Sequence, residues 1–188
     1  MKKIILASQS PRRKQLLEWA EVPFEVVVKE TDESFPGELH ADEAAIHIAR
    51  QKALAVQALV PADAIILAAD TMVVLKGRII NKPADRDDAV RILSDLSGHK
   101  HVVITGVVIK QGEREVVFAD STDVYFHPLT KAQIEFYVDR YKPYDKAGAY
   151  AIQEWIGVVG IKSVHGDFYN VMGLPVSRVV KELEKWNG

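Results

Sequence analysis

Hydrophobic positions change period several times along the chain, and each change marks an element. Ile4–Ala7 is a short unbroken apolar run, the pattern of a buried strand. Ser10-Pro11 follows, which predicts a helix N-cap with proline at the first helical position. That helix runs to about Ala20, with Leu16, Leu17 and Ala20 on its core face. Phe24–Val28 is rich in β-branched residues and predicts a second strand. From about Asp42 to Leu59, Ala45, Ile48, Ala49, Ala53, Val56 and Leu59 recur at helical spacing. Ala64–Ala69 has almost no polar residue and predicts a central strand. Asp85 caps a helix carrying Ala89, Ile92, Leu93 and Leu96, with Gly98 as its stop.

The second half is richer in strand patterns. His101–Lys110 and Glu115–Phe126 flank Gln111-Gly112-Glu113, a hairpin signal. Thr130 and Gln133 form a capping box for a helix to about Arg140. Ile156–Val164 predicts another strand and Leu174–Trp186 a closing helix. The order predicts an α/β fold around a mixed sheet, with a β-rich second lobe and a cleft between two lobes.

Composition narrows the function. A chain of 188 residues is one domain's worth, and 48% hydrophobic with 27% charged residues is ordinary globular usage. Lys+Arg is 24 against Asp+Glu 26, a net charge of −2. That balance argues against a nucleic-acid or membrane-surface partner, so any anion site is local. The absence of cysteine excludes disulfides, zinc–thiolate sites and a cysteine nucleophile. No apolar run approaches the roughly 18 residues of a spanning helix, and the apolar stretch at the start is too short for a signal peptide. A cytoplasmic location is the expectation. The six histidines form no H-x-x-x-H pair, and P-loop, dinucleotide-fingerprint and nucleophile-elbow motifs are absent.

Several local features can carry chemistry. Ala7-Ser8-Gln9-Ser10-Pro11-Arg12-Arg13 lies between a strand and a helix. Two arginines in a first turn oppose the helix dipole, which an anion bound there would explain. Solvated arginines on a capped helix are the plainer reading. Lys52 lies in the apolar stripe of the second helix, where it either snorkels to water or meets a partner. Asp70 is the one charged residue from Ala64 to Leu75. At the end of a central strand it would point into a ligand crevice and hold Mg²⁺ or accept a proton; otherwise it is a turn residue. Lys82, after Asn81, can touch a phosphate, although most loop lysines are simply solvated. Glu30, Asp32 and Glu33 are either a hard-cation site or a solvated loop. In Tyr144–Gln153 small residues allow close backbone approach, and Gln153 can read an amide edge; an ordinary tight turn is the simpler alternative.

Taken together these stretches resemble the Maf family of nucleotide pyrophosphatases, also described as septum-formation inhibitors. The resemblance covers essentially the whole chain as one domain, 1–188. It is carried by Ala7–Arg13, Lys52-Ala53, Ala69-Asp70-Thr71, Lys82-Pro83, Leu96-Ser97-Gly98, Thr105-Gly106, Asp145–Tyr150 and Met172-Gly173-Leu174-Pro175. It implies a mixed-sheet fold similar to inosine triphosphate pyrophosphatases, with two lobes around a nucleotide-binding cleft. It also implies hydrolysis of a nucleoside triphosphate between the α and β phosphates. Ala149-Tyr150-Ala151-Ile152-Gln153 looks like the branch acting on dTTP and UTP rather than on 7-methyl-GTP. In that branch Asp70 matches the proton acceptor, and Arg12, Thr71 and Gln153 match positions tied to specificity. Asn81 and Ala68 stand where the family often has glycine.

The expected mechanism follows. Mg²⁺ or Mn²⁺ bridges phosphate oxygens to Asp70 and Glu33. Ser8, Arg12, Arg13, Lys52 and Lys82 hold the phosphate chain, and Thr71 and Gln153 read the pyrimidine edge. The family further implies a homodimer. Two rival readings are a nucleotide-binding regulator with cell-division partners and a pyrophosphatase for another base.

Overall fold

A computed structural model describes residues 2–186. Seven strands are hydrogen-bonded in the order β2-β1-β3-β5-β6-β7, with β4 paired to β3. β1 (Ile4–Leu6) runs parallel to β2 (Phe24–Val26) and to β3 (Ile66–Leu75). β3 is antiparallel to β4 (Arg78–Ile80). β6 (Arg114–Phe126) follows β5 (Lys100–Gln111) through a turn with Gly112 at φ 55° and is antiparallel to β7 (Ile161–His165). The sheet is therefore mixed, as the alternation of elements predicts.

The chain divides into two compact units that interleave along the sequence. The first holds residues 1–71, 105–120 and 173–188, and the second holds 72–104 and 121–172. In the first unit, α1 (Pro11–Trp19) and α2 (Ala41–Gln57) join the parallel strands, and α7 (Val176–Glu184) closes the chain. The second unit carries α3 (Arg86–Leu96), α4 (Lys131–Tyr141), a 3₁₀ turn (Ala147–Ala149), α5 (Trp155–Gly160) and α6 (Phe168–Met172).

The strong local signals fold as read. Asp85 accepts from the N–H of Asp88 at the start of α3, and Thr130 and Gln133 form their capping box. In α2, Ala45, Ile48, Ala49, Ala53 and Val56 are buried, but Leu59 lies beyond the helix and is exposed. Ser10 is the N-cap of α1 with Pro11 at its start, without a side-chain cap bond, and just ahead of the helix Ser8 Oγ accepts from the Ser10 N–H at 3.2 Å. Three expectations need correction. β3 continues to Leu75, so Asp70 lies within the strand and not at its end. Ile156–Val164 is not one strand: 155–160 is helical and only 161–165 pairs with β6. The closing helix spans only Val176–Glu184, with the short α6 before it.

Close packing of α2 on the sheet rests on small residues. Ala7, Ala49, Ala53, Val56, Ile66, Ala68 and Val108 form one core cluster. The Ala68 methyl, at a position where the resemblance implies glycine, is part of that core. On β5, Gly106 lies beneath α2, where a Cβ would come within 2.5 Å of the Ala45 carbonyl carbon. Backbone cannot give way there as a flexible side chain would. Gly106→Ala is expected to lower unfolding stability by about 3 kcal/mol. A denaturant midpoint equal to the parent's, with unchanged slope, would refute this.

Candidate active site

The candidate site in the first unit is built from two faces of β3. Side chains alternate along a strand, so Asp70 turns toward α2 and Thr71 toward α1. Ile66 and Ala68, on the Asp70 face, pack against α2. The next residue on that face, Asp70, meets Lys52 of α2. The Lys52 ammonium lies 2.7 Å from Asp70 Oδ1 and 2.8 Å from Glu33 Oε1. Lys52 is thus neither solvated nor idle. A mostly buried ammonium needs carboxylate partners, and this one has two, from the β2–α2 connection and from β3. Of the acidic run after β2, Glu33 reaches this centre, whereas Asp32 accepts from the N–H and hydroxyl of Ser34. Those bonds hold the Asp32 carboxyl below its ordinary pKa.

The other face is organised by Arg13. Arg12 and Arg13 are adjacent on a helix, so they point about 100° apart. Arg13 turns inward and is 7% exposed. Its Nε donates to the Gly173 carbonyl at 2.7 Å, Nη1 to Ser8 Oγ at 3.0 Å and Nη2 to Thr71 Oγ1 at 3.0 Å. Burial pushes the guanidinium pKa down to about 10, an effect that Asp70 opposes, Arg12 reinforces and Glu33 opposes. Sequence reading placed both arginines on the phosphate chain. In the structure Arg13 ties three segments together, and Arg12 remains half-buried beside it.

That tie fixes two hydroxyls. Ser8 Oγ accepts from Arg13 and from the Ser10 N–H, so both lone pairs are engaged and its O–H is left to donate. Thr71 Oγ1 accepts from Arg13 and lies 2.9 Å from the hydroxyl of Thr105. Thr105 and Gly173 are members of the network that the sequence flagged only as motif residues. A fully buried threonine in an apolar strand is the signal for the first. For the second, the signal is a glycine at φ 118°, a backbone state side chains rarely adopt.

Lys82 and Gln153 belong to the second unit. Lys82 is exposed and follows β4. Gln153 is exposed on the turn between the 3₁₀ segment and α5, while Tyr150, Ala151 and Ile152 before it are buried. Gly148, at φ 71°, has Val73 methyl carbons about where a Cβ would press, at 3.0 and 3.1 Å. Gly148 therefore serves packing.

Sequence comparison places these features in a class. A family model described as Maf-like protein matches residues 3–186. The chain belongs to the Maf-like family. Named relatives match over nearly the full length. A dTTP/UTP pyrophosphatase of Cytophaga hutchinsonii is 52% identical over 182 residues, covering 97% of this chain and 83% of that protein. One of Bacteroides fragilis is 45% identical, covering 97% and 95%, and one of Bacillus velezensis is 44% identical, covering 99% and 97%. Among solved structures, the Staphylococcus aureus Ham1 protein aligns with a TM-score of 0.46 at 13% identity, over 66% of this chain and 72% of that one. The family assignment rests on the sequence matches.

No helix among the described residues is long and apolar enough to cross a membrane.

Proposed function

We propose that this protein is a nucleoside triphosphate pyrophosphatase acting on dTTP and UTP. The observation that carries the reading is the Asp70–Lys52–Glu33 centre beside the Arg13 tie, within a chain whose relatives bear that activity in their names. A carboxylate paired with an ammonium on a strand is placed to take a proton from water. In the proposed step a water oxygen bonds to the α phosphorus and the bond from that phosphorus to the bridging oxygen breaks. Asp70 takes the water's proton, and pyrophosphate leaves with the bridging oxygen, giving the monophosphate.

Phosphoryl chemistry is mostly positioning and charge stabilisation. Ser8 offers its O–H to a phosphate oxygen. Arg12, Lys52 and Lys82 neutralise the phosphate charges. Arg13 keeps Ser8 and Thr71 in place. Gln153 can accept from a pyrimidine N3–H and donate to a neighbouring carbonyl, a pattern that uracil and thymine share and cytosine lacks.

The residues also fit a divalent cation. Asp70 and Glu33 converge on one point, now the Lys52 ammonium, and hard oxygen donors suit Mg²⁺ or Mn²⁺. Among the described residues no group of three or more His, Cys, Asp or Glu could hold an ion. Magnesium needs only one or two carboxylates when phosphates and water complete its shell. Bound there with the nucleotide, the cation would add positive charge at the phosphates and lower the pKa of a coordinated water.

The test is pyrophosphate release from dTTP, UTP, CTP, GTP and 7-methyl-GTP with Mg²⁺ or Mn²⁺. Selective release from dTTP and UTP supports the reading. Release from 7-methyl-GTP alone would reassign the base, and release from none would leave a nucleotide binder. Gln153→Ala is expected to change the ranking among nucleotides; an unchanged ranking would move base recognition elsewhere.

A further inference from the structure

The segment bearing Gln153 is held from below by a single buried hydroxyl. Tyr137 of α4 is fully buried, and its ring stacks on Tyr141 with centroids 4.9 Å apart. Its hydroxyl accepts from the backbone N–H of Ala151 at 3.1 Å and donates to the Glu154 carboxylate. Ala151 and Glu154 bracket Ile152 and Gln153. The turn is closed on itself as well, since the N–H of Glu154 donates to the Ala151 carbonyl at 3.1 Å.

Three further contacts pin the same stretch. The Tyr150 hydroxyl lies 2.6 Å from His101 Nε2 in a buried pair, with the His101 ring stacked on Phe126. On the other side, α5 begins at once, and Gly157 lets the Ile152 backbone press against it. A Cβ there would come within 2.5 Å of the Ile152 carbonyl carbon. Lys146 Nζ, 3.8 Å from Glu154 Oε1, balances the carboxylate's charge. None of these side chains belongs to the centre on β3. All of them serve a turn whose only exposed member is Gln153.

The geometry points to Tyr137 as a positioning residue for base recognition: its hydroxyl, bridging Ala151 N–H and the Glu154 carboxylate, fixes the turn that presents Gln153. The inference rests on the reading that Gln153 contacts the base. An amide that reads a base edge must offer its donor and acceptor in a set direction, and hydrogen bonding weakens steeply with misalignment. A free turn would let the amide rotate and accept cytosine as readily as uracil. The clamp removes that freedom before the nucleotide arrives, so the discrimination is not offset by ordering the loop on binding.

The experiment is steady-state kinetics on dTTP and CTP, read as the ratio of their kcat/KM values. Tyr137→Phe keeps the ring, its stack and its burial and removes only the hydroxyl. The ratio is expected to fall about tenfold, through KM rather than kcat, because the reacting centre is untouched. Glu154→Gln retains an acceptor for the hydroxyl and is expected to hold the ratio within about threefold of the parent. In the double variant Tyr137→Phe/Gln153→Ala the ratio falls no further than in Gln153→Ala, since a clamp has no effect once its amide is gone. A Tyr137→Phe ratio equal to the parent's, with Gln153→Ala altered, overturns the clamp alone. A ratio unmoved by Gln153→Ala overturns the base assignment, and the clamp's purpose with it. A further loss in the double variant shows that Tyr137 acts by another route and overturns the inference too. If Tyr137→Phe does not fold, Glu154→Ala removes the other half of the bridge from a partly exposed position and gives the same readings.

Discussion

Asp70→Asn is expected to lower kcat about a thousandfold, within the range that a positioned general base contributes. The substitution is nearly isosteric, and the amide has no basic oxygen to take the water's proton. It also leaves the surroundings largely intact. Lys52 keeps Glu33 as a partner at 2.8 Å, so no charge is stranded when the Asp70 carboxylate goes. Binding should change far less than turnover, because the proposed phosphate contacts of Ser8, Arg12 and Lys82 are untouched and a repelling carboxylate has been removed. Calorimetric binding of dTTP to the variant, beside its pyrophosphate release, separates the two. A kcat close to the parent's would mean that water loses its proton elsewhere and that Asp70 serves only to hold Lys52. A loss of binding equal to the loss of turnover would make Asp70 a ligand-holding group rather than a base.

The pairing of Asp70 with Lys52 was half legible in the sequence. The apolar stripe of α2 showed that Lys52 faces inward, and the lone charge in Ala64–Leu75 showed that Asp70 is unusual. The resemblance already pairs Asp70 with Glu33; what the sequence does not contain is the Lys52 ammonium between them, since nothing local links residues 33, 52 and 70. The unbroken apolar run ends at Ala69 and so puts Asp70 at the strand's end, although Met72-Val73-Val74-Leu75 continues the strand. Within a strand, alternation sends Asp70 and Thr71 to opposite faces, and that separation divides the site into its ion-paired and hydroxyl halves.

Where signals were local and redundant, such as the Thr130 capping box or the hairpin at Gly112, sequence and structure agree. The 156–160 stretch shows the opposite case. Its Ile and Val residues favour a strand by propensity, but Gly157 packs against the Ile152 backbone and the chain turns as a helix. A close local backbone contact outweighs a β preference that spans only about 1 kcal/mol. The Tyr137 bridge was out of reach for the same reason: a tyrosine in a helix names no partner until the fold supplies one.

Arg13 is expected to be worth far more to activity than to stability, and comparing Arg13→Met with Arg13→Lys exposes the difference. Burial lowers the guanidinium pKa well below its ordinary value, to about 10. At about 1.4 kcal/mol for each tenfold, keeping it charged at neutral pH costs about 3 kcal/mol. Three hydrogen bonds from a charged donor offset that cost, each worth about 1.5–3 kcal/mol. Arg13→Met removes both sides of this balance. Few groups are then left unsatisfied: Ser8 Oγ keeps the Ser10 N–H, Thr71 keeps Thr105, and the Gly173 carbonyl keeps a 3.4 Å contact with Thr71 Oγ1. A loss of about 1 kcal/mol is expected. Arg13→Lys retains the buried charge, yet one ammonium cannot reproduce the planar fork that reaches three segments. It should be the less stable variant, by about 2 kcal/mol. In both, Ser8 and Thr71 lose the group that fixes them, and displacement of about 1 Å at a reacting centre costs about a hundredfold in kcat. The linkage carries a sign that can be measured as well. The folded pKa lies below the unfolded one, so the parent gains stability as pH rises above about 10 and the Met variant lacks that gain. Denaturant midpoints at pH 7 decide the order of the variants. If Lys proves more stable than Met, the charge itself holds the fold, and the view of Arg13 as a positioning tie gives way to that of a stabilising ion.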